Sequence, residues 1–217
     1  MNGSGRDGMA VVRFARLRAL VPAVAALIAT LLAIAPVGAA AGTIVLPRPG
    51  QVGVAVQGGF GTLLKSGDLG GVFGNGPTVA ARLRYRLRYE RALGLTFENQ
   101  RFEIRTPEAL FEGLPGRTRV NMVLSGLEFY QMFGTRTPTT TMLIFGAGIV
   151  QTSGRFLNGE TFYPGDGTFL SAGFGVERFV YRSWALDLST RYMRVFIPDD
   201  HADDVQVSLG LIFYASY

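Results

Sequence analysis

From about residue 51 onward, apolar and polar side chains alternate along most of the chain with a period of two residues. The clearest case is the stretch TVAARLRYRLRYE at 78–90, in which four alternate positions are basic: Arg82, Arg84, Arg86 and Arg88. In an α-helix these side chains would scatter around the circumference, whereas in a β-strand they form one row. The pattern therefore predicts a strand with one charged face and one apolar face.

Eight segments show this alternation, and the connections between them are rich in glycine, proline or charge. We predict strands at about 51–61, 78–90, 92–104, 118–131, 139–152, 167–180, 183–196 and 204–217. The fourth is the least regular, because Leu124 and Leu127 fall on opposite phases of the alternation. A β-bulge near Ser125 and Gly126 would reconcile the two phases.

Short and long connections alternate along the chain. The predicted connections at 90–92 and 181–182 are short and that at 133–139 is moderate, whereas those at 62–77, 105–117, 153–166 and 197–203 are longer and richer in glycine, proline or charge. Such asymmetry, an even strand count and segments of about ten residues are typical of a membrane barrel. Since a bilayer tolerates no unpaired strand edge, the eighth strand must pair with the first. We therefore predict an all-β fold, an eight-stranded antiparallel up-and-down transmembrane β-barrel.

The N-terminal segment 1–41 has the three parts of a secretory signal peptide. Residues 1–18 are basic, residues 19–35 are apolar, and the small residues GAAAG follow. We expect export through the Sec pathway, cleavage after Ala41 or alternatively Ala39, and a mature barrel domain at 42–217. A membrane anchor is the alternative, although the apolar run is short for one.

Charge and cysteine content exclude several classes of protein. The formal net charge is +5, but four of the basic residues lie in the predicted signal peptide: Arg6, Arg13, Arg16 and Arg18. The mature chain is therefore nearly neutral and exerts little attraction on a nucleic acid. The chain contains no cysteine, so disulfides and thiolate metal sites are absent.

Two observations indicate which face of the strands lies inside the barrel. The polar face carries small residues that leave room for long arginines in a narrow interior: Gly53, Ala55, Gly94, Ser171, Gly173 and Gly175. Aromatic residues gather near the short connections, as in an interfacial girdle: Tyr89, Phe129, Phe179, Trp184 and Tyr217. We therefore expect the arginines inside and the apolar face toward lipid. A soluble barrel with the opposite arrangement is the alternative.

Charges inside so narrow a barrel must be paired, because an unpaired buried ion is strongly destabilising. We predict a lumen charge network of eight residues: Arg82, Arg84, Arg86, Arg88, Glu98, Glu177, Asp187 and Arg191. A hairpin centred on Arg91 would make Arg84 and Glu98 cross-strand neighbours.

A second hairpin, centred on Arg182, would bring Glu177 level with Asp187. Two adjacent carboxylates repel each other, so this pair needs a cation. The predicted candidates are Arg86, Arg88 and Arg191.

The last strand ends in LGLIFYASY, and with the signal peptide and the eight alternating strands it resembles the small outer-membrane barrels of Gram-negative bacteria, such as the OmpA membrane domain, OmpX and OmpW. The resemblance implies a C-terminal signal for the barrel assembly machinery, formed by Leu209, Leu211, Phe213 and Tyr217. It also implies a monomer located in the outer membrane, in contact with outer-membrane lipid and lipopolysaccharide.

The stretch 167–196 also resembles the lipid A 3-O-deacylases, which carry a His–Ser pair at the end of the seventh strand. Here the matching residues, 192–196, include neither His nor Ser, and the only histidine, His201, lies in the predicted outer loop PDDHADD. That acidic loop could bind Ca²⁺ but lacks EF-hand spacing. We expect no catalytic residue, no metal and no cofactor.

These observations favour a barrel with a polar, side-chain-filled lumen and a structural or surface-interaction role. The alternative is a narrow channel for small or hydrophobic solutes. A hydrolase of lipid A or another acyl ester is the third possibility.

Overall fold

The computed structural model describes residues 44–104, 117–156, 159–198 and 200–215. These residues form nine strands and one short helix. The strands are β1 Val52–Leu63, β2 Asn75–Arg88, β3 Arg91–Glu103, β4 Arg117–Phe133, β5 Thr139–Phe156, β6 Thr161–Phe162, β7 Gly167–Tyr181, β8 Trp184–Ile197 and β9 Asp200–Tyr214. Helix α1 spans Gly67–Val72. The predicted signal peptide, its cleavage site and Tyr217 lie outside the described residues.

Eight of the strands close into an antiparallel ring. Each strand of the series β1 to β5 pairs with the next, β5 pairs with β7, and β7 to β9 continue the series. β9 then pairs with β1, from Gly53 opposite Tyr214 to Leu63 opposite Asp204. The two-residue β6 pairs only with the end of β5. The predicted fold class is confirmed, because no edge of the eight-stranded sheet is left unpaired. No helix among the described residues is long and apolar enough to cross a membrane.

The two faces of the sheet are arranged as the arginine row predicts. Arg82, Arg84 and Arg86 are buried in the lumen, whereas Leu83 and Tyr85 between them are 42% and 46% exposed on the outer wall. The outer wall is apolar on every barrel strand, so the soluble arrangement with arginines outside is wrong. An apolar outer wall is what contact with lipid requires.

The aromatic girdle near the short turns is partly as predicted. Tyr89, Phe129 and Trp184 are exposed on the outer wall, and Trp184 packs against Phe213 with ring centroids 4.9 Å apart. The predicted girdle position of Phe179 is wrong. This residue is buried in the lumen, because it shares the phase of Glu177 rather than that of the outward residues of β7.

The irregular fourth strand contains no bulge at Ser125 and Gly126. Its pairing with β3 runs without a break from Arg119 to Gln131. The inward residues Val120, Met122 and Leu124 are simply apolar. The predicted bulge is therefore wrong, and the apparent change of phase marks a part of the lumen that is packed with apolar side chains.

The segment predicted as an outer loop at 197–203 is mostly strand. Ile197 pairs with Asp200, and β9 continues from there with His201 opposite Phe196. This prediction is wrong because the acidic residues keep the alternation of a strand: Asp204 faces the lumen, while Asp203 lies on the outer side. β8 ends at Ile197 and β9 begins at Asp200.

Helix α1 lies on the connection between β1 and β2 and is anchored to the start of β9. The Ser66 hydroxyl donates a hydrogen bond to Asp203 Oδ2 at 2.7 Å, and the Leu69 amide donates to Asp200 Oδ2 at 3.3 Å. Asp203 also accepts bonds from Arg194 Nε at 2.7 Å and Nη2 at 3.0 Å. Asp200 and Asp203 therefore stabilise the local structure around helix α1 and the start of β9. No cluster suited to a metal ion is found in the described part of the chain.

Candidate functional site

The middle of the lumen holds a network of buried charged and polar side chains contributed by six of the eight barrel strands. Its members are Arg82, Arg84 and Arg86 on β2, Glu98 on β3, Glu128 on β4, Glu177 on β7, and Asp187 and Arg191 on β8, with Gln206 and Tyr214 on β9. Four arginines thus meet four carboxylates. All of these side chains face inward because each occupies the polar phase of its strand.

Arg84 is the cation that joins the two facing carboxylates of β7 and β8. Glu177 and Asp187 lie directly opposite each other, as the hairpin centred on Arg182 predicts. Arg84 donates to Glu177 Oε2 at 2.5 Å and to Asp187 Oδ2 at 2.7 Å, and its guanidinium carbon lies 4.2 Å from the centre of the Tyr130 ring. One guanidinium therefore neutralises two carboxylates that would otherwise repel.

Arg86 completes this half of the network. Its Nη2 donates to Glu177 Oε1 at 2.9 Å and to the Tyr214 hydroxyl at 3.1 Å. The Tyr214 hydroxyl in turn donates to Glu177 Oε2 at 2.8 Å. Glu177 is thus bound by two arginines and a tyrosine, and the shared donors hold β2, β7 and β9 together across the lumen.

The other half is centred on Arg191. This side chain donates to Glu128 Oε1 at 2.8 Å and to Gln206 Oε1 at 2.6 Å, and it also forms an ion pair with Glu98. Arg82 lies 3.7 Å from Glu98 and 3.6 Å from Glu128. Arg191, predicted as a partner for the carboxylates of β7 and β8, pairs instead with those of β3 and β4.

Two of the sequence-based predictions about this network are wrong. Arg84 is opposite Gly94, not Glu98, because the hairpin is centred on Tyr89, two residues earlier than predicted. Arg88 is not in the lumen: the register shifts between Arg86 and Arg88, and Arg88 is exposed at the end of β2.

Sequence reasoning also missed members of the network. Glu128 was overlooked because the phase of β4 was uncertain. It lies between Leu127 and Phe129, and since both of these apolar residues face outward, the alternation indicates that Glu128 faces the lumen. Gln206 was overlooked because an amide carries no charge to search for. Yet its Nε2 donates to Glu98 Oε1 at 2.5 Å and to Thr78 Oγ1 at 2.8 Å.

Glycines on the inner wall make room for the large polar side chains. A Cβ on Gly173 would lie 2.5 Å from Arg191 Cγ, and one on Gly94 would lie 2.9 Å from the Tyr130 ring. Both distances are shorter than van der Waals contact allows. A side chain at either position would therefore collide with Arg191 or Tyr130, and at Gly173 also with the backbone oxygen of Thr190, 2.4 Å away on the neighbouring strand.

Apolar layers close the lumen on both sides of the charge network. At the strand ends next to the long connections, a cluster is formed by Leu63, Leu69, Phe73, Phe102, Val120, Met122, Leu124, Val150, Phe169, Met193, Val195, Ile197 and Ala202. At the short-turn end, two clusters include Phe179, Ile212 and Tyr214, and Met132, Met142 and Ile144. Neither layer was predicted, since alternation was expected to make the whole inner face polar.

The described residues do not bring His201 together with a serine and a carboxylate. His201 lies in β9, and among the described residues no serine or carboxylate side chain binds its imidazole. Ser66 lies near β9, but its hydroxyl donates to Asp203. The predicted assembly-signal residues Leu209, Leu211 and Phe213 lie exposed on the outer wall of β9, and their role in assembly stays a prediction.

A closed eight-stranded antiparallel barrel with an apolar outer wall and a side-chain-filled lumen is the fold of small outer-membrane barrels, and solved structures of such proteins match this chain. Neisserial surface protein A (NspA) shares 17% identity at a TM-score of 0.58, with 75% of this chain and 96% of that chain covered. OprG from Pseudomonas aeruginosa shares 12% identity at a TM-score of 0.51, with 81% and 100% covered. No family model and no curated protein matches the sequence. The similarity is one of fold.

Proposed function

We propose that this chain is a non-conducting barrel of the outer membrane with a structural or surface-interaction role. The observation that carries the proposal is the packing of the lumen, in which paired charges lie between apolar layers. A pore for ions or polar solutes needs a continuous wetted path, whereas here the apolar side chains at both ends of the network are almost fully buried. Such an interior makes the barrel a rigid support for the surface outside it.

Further parts of the proposal follow from the sequence and the fold together. The protein is exported through the Sec pathway, inserted by the barrel assembly machinery, and acts as a monomer without cofactor or nucleic acid. It is surrounded by outer-membrane lipid and lipopolysaccharide. The long connections face the exterior and the short turns face the periplasm, as in other barrels of this type.

Planar-bilayer recording tests the non-conducting lumen and its alternative, a narrow channel for small or hydrophobic solutes. We expect the refolded protein to insert without steady unitary currents, because the paired side chains leave no free path for ions. The control is the same preparation with a known porin, which establishes that insertion is detected. Steady unitary currents that change in Phe102→Ala or Arg84→Met would contradict the proposal and favour the channel.

A further inference from the structure

The outer wall of β3, β4 and β5 becomes basic at the long-connection end. Two adjacent rows of outward residues cross these strands: Arg101, Asn121 and Ser153 in one, and Glu103, Arg119 and Arg155 in the next. Neighbouring strands lie about 4.8 Å apart, so the three arginines fall within a patch about two strand spacings wide. We call Arg101, Arg119 and Arg155 the rim arginines.

The position of the rim arginines is set by the apolar wall beside them. The row nearest to them that is largely apolar contains Phe97, which is 54% exposed, and Ile149, which is 57% exposed. Between this row and the rim arginines lies one row with Asn99, Val123 and Gln151. The apolar belt of a membrane barrel ends where the headgroups begin, so the rim arginines lie at headgroup level.

Among the residues that the structure describes, the patch carries more arginines than neighbouring carboxylates. Glu103 lies 3.9 Å from Arg101 and is itself 67% exposed. Among the described residues, and with Glu160 between β5 and β6 counted as well, three cations face two carboxylates. Arg194 contrasts with Arg101, because Asp203 binds Arg194 through two hydrogen bonds, of 2.7 and 3.0 Å, on the outer side of β8 and β9.

We propose that the rim arginines bind the headgroup phosphate of an anionic lipid in the leaflet on the long-connection side. Guanidinium groups bind phosphate through paired hydrogen bonds, and Asn121 and Ser153 add neutral partners between the arginines. The lipid source is favoured over free phosphate because the acyl chains would extend past the row of Asn99, Val123 and Gln151 onto the exposed apolar side chains of Phe97 and Ile149. The inference rests on the proposed membrane location.

The test measures binding of phosphatidic acid, a lipid with an exposed phosphate, to the folded full-length mature chain in neutral detergent micelles. Native mass spectrometry counts bound lipid across a titration, with phosphatidylcholine as the uncharged comparison. We expect a preference for phosphatidic acid that the triple variant R101Q/R119Q/R155Q loses. Each arginine near a lipid surface contributes roughly fivefold in affinity, so the expected loss is roughly a hundredfold.

The matched control removes three exposed arginines at the short-turn end, in the variant R48Q/R88Q/R136Q. It changes the net charge equally and is expected to bind phosphatidic acid as the wild type does. Replacing the rim arginines by lysine keeps the charge but loses the paired hydrogen bonds, so an intermediate affinity is expected. Millimolar inorganic phosphate should not displace the lipid if the acyl chains contribute to binding.

Three results would overturn the inference: no preference of the wild type for phosphatidic acid, equal loss in the two triple variants, or full displacement by inorganic phosphate. Heat-modifiable gel migration shows whether each variant is folded. A wild type that is folded but shows no preference contradicts the lipid site and leaves the proposed function standing. A wild type that never forms a folded barrel overturns both.

Discussion

Replacing Arg84 by methionine is expected to lower the free energy of unfolding by about 3–5 kcal/mol, the cost of leaving a buried ion pair without one partner. Arg84 is fully buried and is the only residue among the described ion pairs that binds both Glu177 and Asp187. Its loss leaves these two carboxylates facing each other with Arg86 alone. Urea unfolding of the barrel in detergent micelles, followed by Trp184 fluorescence, measures the change.

The control for this prediction is Arg88→Met on the same strand. Arg88 is exposed, so its replacement should change stability by no more than about 0.5 kcal/mol. Removing the orphaned charges as well, in Arg84→Met with Glu177→Gln and Asp187→Asn, should restore part of the loss. If Arg84→Met and Arg88→Met were equally mild, the charge network would not hold the strands together.

The second large effect is expected in the apolar layer at the long-connection end. Phe102→Ala should lower the free energy of unfolding by about 3–5 kcal/mol, because it leaves a cavity that the closed barrel cannot collapse. Phe102 is fully buried, and its ring lies against the strand carrying Gly61, where an added Cβ would approach Phe102 Cε1 to 3.2 Å. The same urea titration measures the effect.

Phe102→Leu serves as the graded companion, since it removes less volume and should cost clearly less than alanine. A loss below about 1 kcal/mol for Phe102→Ala would mean that the layer is loosely packed or hydrated. That result would also weaken the case for a closed lumen.

The strand alternation was enough to predict the barrel and the inward arginines, because a period of two fixes which residues share a face. Hairpin symmetry added the pairing of Glu177 with Asp187, since the turn at Arg182 is tight. The same reasoning failed for Arg84, where an error of two residues in the centre of the turn moved its partner by four, from Gly94 to Glu98. In an antiparallel hairpin, an error in the position of the turn shifts the partner residue on the opposite strand by twice as many residues.

The partners in each ion pair could not be predicted from the local sequence pattern. Arg84 on β2 binds carboxylates on β7 and β8, which lie across the lumen rather than next to it in the sheet. Such contacts depend on how long side chains fill a closed space. Arg88 shows the opposite error, since a shift in register near the strand end turned a residue outward that the alternation placed inside.

The apolar layers of the lumen and the pairing of β8 with β9 near 197–203 were missed for a related reason. Val120, Met122 and Leu124 looked like a fault in the alternation, because the lumen was expected to be polar throughout. Asp200, Asp203 and Asp204 looked like a loop because they are acidic, although their neighbours keep the strand period. In both places composition was given more weight than period, and period was correct.

Gel migration of separated membrane fractions, without and with boiling, shows whether the chain is a folded barrel in the outer membrane. We expect the protein in the outer-membrane fraction, with an unboiled band that migrates differently from the boiled one, because the closed strand ring resists detergent until heated. Arg84→Met should lose the shifted band at a lower temperature than the wild type. A protein recovered in the soluble fraction, or a single band unaffected by boiling, would contradict the account.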